Sequence, residues 1–267
     1  MPDIRLTALV LLSVVVVTGT YYSVTNETYL DTSNPSLTHL SHHLSKTHYF
    51  ASKSNFLNVY FIKQAWGWTT LVFFLTWFTS PSAARAKRRI LKWGVETAVW
   101  LAFAGWFFGP AIIERFIVAS GGECVLSLPS GDYITLPEEL CYAGASVSPR
   151  THPELFKSTF VLSPDWRARP RLRKGHDVSG HTFLLAMAIL FLVDQLRPSL
   201  RERVWSPLHK VAITLHVALI AIWFVAVLTT SLYFHVPFEK YTGLALGIAG
   251  FAISQIIPDG PIRSSKH

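Results

Sequence analysis

Charge is scarce in this sequence. Of 267 residues only 15% are Asp, Glu, Lys or Arg, while half are hydrophobic. A soluble domain of this length needs about a quarter of its residues charged to cover its surface. Cysteine is scarcer still. Two residues exclude both a disulfide framework and a cysteine-rich zinc site. Acidic residues are the rarer sign, 16 against 24 Lys and Arg, leaving a formal charge of +8. Such an excess can mark nucleic-acid binding. Here the basic residues sit in short clusters between apolar runs, the pattern that writes membrane topology, and no nucleic-acid role is expected. No tandem repeat is visible.

What is present is a series of apolar runs, over approximately 6–24, 56–78, 93–113, 181–196, 208–231 and 241–257. A span needs ~20 residues; the fourth and sixth runs are short, so they borrow flanking residues or sit among protein. The second is interrupted by Lys63 and Gln64. The first could be a cleaved signal peptide, but Arg5 is offset by Asp3 and no small-residue cleavage site follows, so an uncleaved anchor is the favoured reading. Basic residues then fix orientation. Arg85, Lys87, Arg88, Arg89 and Lys92 follow span two, Arg197, Arg201, Arg203 and Lys210 follow span four, and Arg263 and Lys266 lie in the tail. With six spans these segments share one face, which the positive-inside rule makes cytosolic. Trp77, Trp93 and Trp205 fall at the same edge. The expected fold is therefore an all-α membrane protein of about six transmembrane helices. It forms a single polytopic membrane domain over residues 1–267, with both termini cytosolic and one long lumenal loop over 114–180.

Two features agree with that orientation. Asn26-Glu27-Thr28 is a glycosylation sequon on the lumenal side, although close to the membrane. Cys124 and Cys141 both fall in the long loop, where oxidation is permitted, and either pair or remain two free thiols. Residues 121–174 are rich in Pro, Gly and Ser with no helical period, and read as a loop rather than a separate domain. Leu37, Leu40 and Leu44, after Asn34-Pro35, predict an amphipathic surface helix to Tyr49.

The strongest local signal is the run from Lys174 to His181, Lys-Gly-His-Asp-Val-Ser-Gly-His, at the mouth of span four. Ser179, Gly180 and His181 at a helix start bring backbone N–H groups, a hydroxyl and an imidazole to one point beside the positive helix end, as a phosphate site requires. The plainer reading is a helix cap with an interfacial histidine. Span five ends in Tyr233-Phe234-His235, followed by Glu239. The topology sets His181 and His235 on one side at similar depth, and two histidines, one backed by a carboxylate, can supply a nucleophile and a general acid. Arg167, Arg169, Arg171, Arg173 and Lys174 alternate just before the Ser-Gly-His, held extended by Pro170. They read as a clamp for a polyanion or a contact with lipid head groups. Lys63 lies within span two near its lumenal end, where it snorkels or faces a polar cavity. His39, His42, His43 and His48 fit no standard metal spacing and read as solvated or interfacial, so no metal site is expected. His216 reads as bonded to a neighbouring helix, and Gly105, Gly243, Gly247 and Gly250 suit close helix packing or lipid binding.

These residues resemble the fat storage-inducing transmembrane (FIT) family, in a fungal-type form. The resemblance is carried by the run from Leu57 to Thr69 (Leu-Asn-Val-Tyr-Phe-Ile-Lys-Gln-Ala-Trp-Gly-Trp-Thr), by Ile113-Glu114 with Gly122-Glu123-Cys124, by Asp177-Val178-Ser179-Gly180-His181-Thr182-Phe183-Leu184, and by Tyr233-Phe234-His235 with Glu239-Lys240. It implies a six-span protein of the endoplasmic reticulum membrane with a lumen-facing site, related to lipid phosphate phosphatases. It further implies cleavage of the pyrophosphate of fatty acyl-CoA to acyl 4′-phosphopantetheine and adenosine 3′,5′-bisphosphate, with a link to lipid droplet formation. By motif, His235 would be the nucleophile and His181 the general acid, in a scheme without metal or cofactor; the partners would be acyl-CoA and membrane lipids.

The chain departs from the wider phosphatase pattern. Val178 stands where those enzymes carry Pro, no Arg precedes His235 at their spacing, and Glu239 replaces Asp. The missing phosphate charge would have to come from Lys63 and the Arg167–Lys174 segment. A phosphatidate or other lipid phosphate phosphatase, and a non-catalytic protein that binds diacylglycerol or triacylglycerol to promote droplet budding, are the rival readings; the paired histidines and Glu239 favour an enzyme.

Overall fold

The computed structural model describes residues 3–30, 42–105, 110–156, 162–202 and 204–258. The surface helix expected around Leu37 and Leu40, together with His39, Arg203, Arg263 and Lys266, lies outside them. The chain is mostly helical. In order it forms α1 (Ile4–Thr25), α2 (Ala65–Thr79), α3 (Lys87–Ala104), α4 (Ile112–Ala119), β1 (Glu123–Ser127), β2 (Tyr133–Leu136), α5 (Glu138–Ala143), β3 (Arg171–Arg173), α6 (Gly180–Arg201), α7 (Pro207–Tyr233) and α8 (Pro237–Ser254). Among the described residues, α1, α6 and α7 are long and apolar enough to cross a membrane.

The residues divide into two compact units. Of the described residues, one gathers those within 3–30, 42–101 and 179–258, the other those within 102–178. In the first, α6 is the central element, buried almost continuously from Thr182 to Leu196. Around it pack α1, α2, α7 and α8. α1 buries one stripe, Ala8, Leu12, Val16, Gly19 and Ser23, and turns Leu6, Val10, Leu11, Val14 and Val17 outward. α7 likewise exposes Leu208, Val211, Leu215, Val217 and Val225. Apolar faces of that extent need an apolar solvent, which supports a membrane protein.

Helix contacts inside this unit are close. A Cβ on Gly243 would meet the Ser179 carbonyl oxygen at 2.6 Å, one on Gly247 the Phe183 oxygen at 2.5 Å, and one on Gly250 Met187 Sδ at 3.0 Å. The small residues of α8 thus let its backbone lie against α6. His216 is fully buried, its Nδ1 2.9 Å from Thr76 Oγ1 and its Nε2 2.9 Å from the Leu192 oxygen. It joins α2 and α6 to α7, as expected of an interhelical histidine.

One span and one loop differ from their expected form. Span two is not one helix: a π-helical turn at Leu57–Phe61 and a 3₁₀ turn at Ile62–Gln64 precede α2. Asn55 Oδ1 accepts from Asn58 N at 2.8 Å and Asn58 Nδ2 donates to the Lys53 oxygen at 2.6 Å, side-chain bonds that compete with the helical ladder. The basic loop after span two is helical from Lys87, and two of its cations are buried. Arg89 Nε donates to Gln195 Oε1 at 2.9 Å and Lys92 Nζ to Asp194 Oδ2 at 3.2 Å. They tie α3 to the far end of α6.

The second unit corrects the expectation of a long loop without strands in an all-α protein. It holds an antiparallel sheet in the order β2-β1-β3. Cys124, Leu126, Leu136 and Val147 form its buried core, against which Trp166, Ala168 and Leu172 pack. Strands of three to five residues are too short to display a period, and the Pro and Gly of their turns hid them. Cys124 and Cys141 are disulfide-bonded. Gly175, at φ +64, lies against the Ile117 carbonyl, where a side chain would collide.

Candidate active site

The site is built where α6 begins and α7 ends. Ser179 precedes α6 in extended conformation, and its hydroxyl accepts from Thr182 N at 3.4 Å and lies 2.9 Å from Thr182 Oγ1. It is fully buried. The side chain serves as the helix N-cap, the plainer of its two expected roles, because Thr182 three residues on offers both a donor and a partner hydroxyl. The first turn still presents the N–H groups of Gly180 and His181 at the positive helix end. Ser179 N donates to the Glu239 carbonyl at 3.1 Å, which fixes the start of α6 to the first turn of α8.

α7 stops at Tyr233. Phe234 is extended, His235 adopts φ +61, and Pro237 opens α8. A left-handed non-glycine residue costs about 1–2 kcal/mol, and such strain gathers at functional sites. The turn brings His235 Nδ1 to 2.9 Å from Glu239 Oε2, and the same oxygen accepts from Val236 N at 3.2 Å. The Glu239 side chain is 2% exposed and that of His235 17%. A buried carboxylate accepting from Nδ1–H leaves the Nε2 lone pair available for attack. His181 lies half-buried on α6, and the groups acting on it electrostatically include His235, Lys63 and Lys53. The His235–Glu239 pair, His181, Lys63 and Lys53 all belong to the first unit. Among the described residues no three His, Cys, Asp or Glu side chains group to hold a metal ion.

Lys63 is exposed in the 3₁₀ turn before α2. Arg167, Arg169, Arg171, Arg173 and Lys174 belong to the second unit. There the alternation is that of a strand: Trp166, Ala168 and Leu172 face the core while Arg167, Arg169 and Arg171 are exposed. Burial and the neighbouring Arg171 hold Arg173 below the ordinary guanidinium range. Lys174 donates to Glu123 at 2.7 Å, and this bond raises its ammonium above the ordinary value. Asn26 is exposed, its Nδ2 donating to the Tyr22 oxygen at 2.9 Å.

Several residues near the site give little sign of it in the sequence. His42, expected to be solvated or interfacial, is 3% exposed. Its Nδ1 accepts from Leu44 N at 3.0 Å, so its Nε2–H donates to the Tyr233 oxygen at 2.9 Å, and burial lowers its pKa. Thr28 Oγ1 donates to the Leu232 oxygen at 2.7 Å. Lys240 is fully buried, and its Nζ donates to the Ser231 oxygen at 2.6 Å and to Ser23 Oγ at 2.8 Å. A Lys one residue past Glu239 was the available signal; the partners come from distant stretches and leave none.

The chain is similar to several curated proteins across most of its length. It is 28% identical over 211 residues to the acyl-coenzyme A diphosphatase fit1 of Schizosaccharomyces pombe, covering 78% of this chain and 73% of that protein. It is 28% identical over 219 residues to the acyl-coenzyme A diphosphatase FITM2 of Xenopus tropicalis, covering 77% and 71%. Against the fat storage-inducing transmembrane protein 1 of Mus musculus it is 27% identical over 219 residues, covering 78% and 64%. No solved structure matches significantly. The family model for fat storage-inducing transmembrane proteins matches residues 46–214 and 206–254, a stretch that contains His181, His235 and Glu239, and the chain belongs to the FIT family.

Proposed function

We propose that the protein is an acyl-coenzyme A diphosphatase of the endoplasmic reticulum membrane. It cleaves the pyrophosphate of fatty acyl-CoA to acyl 4′-phosphopantetheine and adenosine 3′,5′-bisphosphate, and so supports lipid droplet formation and membrane lipid homeostasis. Two of the relatives described above bear this activity in their names. The observation that carries the reading is the 2.9 Å bond from His235 Nδ1 to buried Glu239, which leaves Nε2 available as a nucleophile.

The chemistry follows from that arrangement. Nε2 of His235 attacks one phosphorus of the pyrophosphate, a P–N bond forms, and the bridging P–O bond breaks. The departing phosphate oxygen takes a proton from His181. Water then attacks the phosphohistidine, gives its proton to His181, and the P–N bond breaks with its electron pair returning to Nε2. Glu239 stabilises the imidazolium character that develops in between. Lys63, Lys53 and the N–H groups opening α6 meet the phosphate oxygens. The exposed face of Arg167, Arg169 and Arg171, with Arg173, is proposed to bind phosphate groups on the strength of its charge and alternation.

The proposed topology is a single polytopic domain of six spans with both termini cytosolic and residues 114–180 in the lumen. The basic residues after spans two and four support it, as does the disulfide, which belongs in an oxidising compartment. Consecutive helices packed as an antiparallel pair set the start of α6 and the end of α7 on one side, so both histidines would face the lumen.

The test uses purified full-length protein given acyl-CoA and phosphatidate side by side. The parent is expected to cleave acyl-CoA, and His235→Ala to abolish cleavage in a folded protein. Cleavage of phosphatidate alone would replace the diphosphatase reading with a lipid phosphatase, and activity unchanged in His235→Ala would remove the nucleophile.

A further inference from the structure

A helix leaves its last four carbonyls without intrahelical partners. At the end of α7 each is taken. The Thr230 oxygen accepts from Phe234 N at 3.1 Å, in the helix's own last turn. The other three are bonded from elsewhere in the chain. Ser231 oxygen accepts from Lys240 Nζ at 2.6 Å, and Leu232 oxygen from Thr28 Oγ1 at 2.7 Å. Tyr233 oxygen accepts from His42 Nε2 at 2.9 Å and Leu30 N at 3.1 Å.

Many helices end in a self-contained way. A glycine just beyond the last turn adopts left-handed conformation, and its own N–H groups return to the final carbonyls. Here the left-handed residue is His235, at φ +61, two residues past the end of α7. No glycine relieves it, so an external clamp must offset the conformational cost. The three side-chain donors provide one. They hold the carbonyls of residues 231–233 from the segment after α1, from the chain before α2, and from α8. On the other side of the turn, Glu239 holds the Nδ1 of His235 and the N–H of Val236. Lys240 adds its charge at the negative end of α7, where a cation is most stabilising.

We propose that Lys240, Thr28 and His42 are positioning residues for His235. By bonding the terminal carbonyls of α7 they fix where the left-handed turn begins, and so where Nε2 points. None of them touches the reacting atoms. The inference rests on the proposed role of His235 as nucleophile.

The test compares Lys240→Met, which keeps the chain length and removes the donor, with the pair Thr28→Val and Thr28→Ser. All are made in the full-length protein, and each is assayed for kcat and KM on acyl-CoA, for thermal unfolding, and for the rate at which diethylpyrocarbonate modifies His235 by mass spectrometry. A nucleophile displaced by ~1 Å costs up to ~10²-fold in rate. Lys240→Met is therefore expected to lower kcat by about tenfold or more with KM within about twofold. Thr28→Val is expected to lower kcat by a smaller factor, and Thr28→Ser, which retains the hydroxyl, to restore it. His235 modification should change severalfold in Lys240→Met and Thr28→Val, while that of exposed His48 stays constant. Unchanged kcat and unchanged His235 modification in folded variants would overturn the proposal, as would Thr28→Ser behaving like Thr28→Val. Should Lys240→Met not fold, the Thr28 pair decides alone. Should the parent fail to cleave acyl-CoA, the proposed function falls, and the His235 modification rate still decides whether these residues set the turn.

Discussion

Glu239 uses a single carboxylate oxygen for two bonds, one to His235 Nδ1 and one to Val236 N. Replacing it by Gln keeps an oxygen acceptor and the start of α8 but removes the negative charge facing the imidazole. Glu239→Gln is expected to fold and to bind substrate with kcat lowered by ~10²–10⁴-fold, as for other orienting carboxylates. Steady-state kinetics on acyl-CoA measure it, and activity within twofold of the parent would reduce Glu239 to a helix cap. His181→Ala removes the proton donor and leaves the nucleophile. It should slow acyl-CoA cleavage severely while sparing an aryl phosphate whose leaving group needs no proton; equal loss on both substrates would deny His181 the role of acid. At this scale the sequence was partly legible. The spacing of His235 and Glu239 identified the pair, because four residues permit a bond in either a helix or a turn. It did not reveal the left-handed φ, since the bonds that close the end of α7 just before His235 come in part from Thr28 and His42, far off in the chain.

The α6–α8 seam holds the start of α6, which carries His181, against the first turn of α8, which carries Glu239. Gly247→Val would drive a branched side chain into the Phe183 carbonyl at 2.5 Å and Ala186 Cβ at 2.8 Å. Overpacking of this kind costs about 1–3 kcal/mol, so a lower Tm and a reduced kcat are expected together. Thermal unfolding and turnover of the purified variant check it, and unchanged values of both would mean the helices part freely there. The arginine-bearing segment of the second unit offers a separate test. Exchange of Arg167, Arg169, Arg171 and Arg173 for Gln removes three exposed charges and one half-buried one and leaves Trp166, Ala168 and Leu172 in the core. Affinity for adenosine 3′,5′-bisphosphate is expected to fall, by ~1.5–3 kcal/mol for each charge-assisted hydrogen bond removed. Calorimetric titration giving the parent affinity would assign the stretch to some other role. Glycines at 243, 247 and 250 were visible as a packing motif. The sheet was not, because β3 spans only Arg171–Arg173 and its partner lies 48 residues earlier in the chain.

For the whole molecule the decisive test is orientation. Both native cysteines are paired, so a cysteine at the exposed position of Lys87 is the sole free thiol. Labelling in sealed microsomes by an impermeant reagent is expected at that site; labelling only after the membrane is opened would reverse the topology and bring the histidines to the cytosol. Low charge, long apolar runs and clustered cations settled by themselves that the chain is a membrane protein, since insertion depends on hydropathy summed over a segment and that sum is local. The motifs around His181 and His235 were likewise local, and carried the family with them. Tertiary structure decided the rest. It assigned the Ser179 hydroxyl to a cap, buried Arg89 and Lys92 against the end of α6, broke span two into π and 3₁₀ turns, and enlisted His42, Thr28 and Lys240 around the end of α7. Each of these depends on which distant donor or acceptor is brought within about 3 Å, the range in which a hydrogen bond forms, and separation along the chain holds no information about that distance.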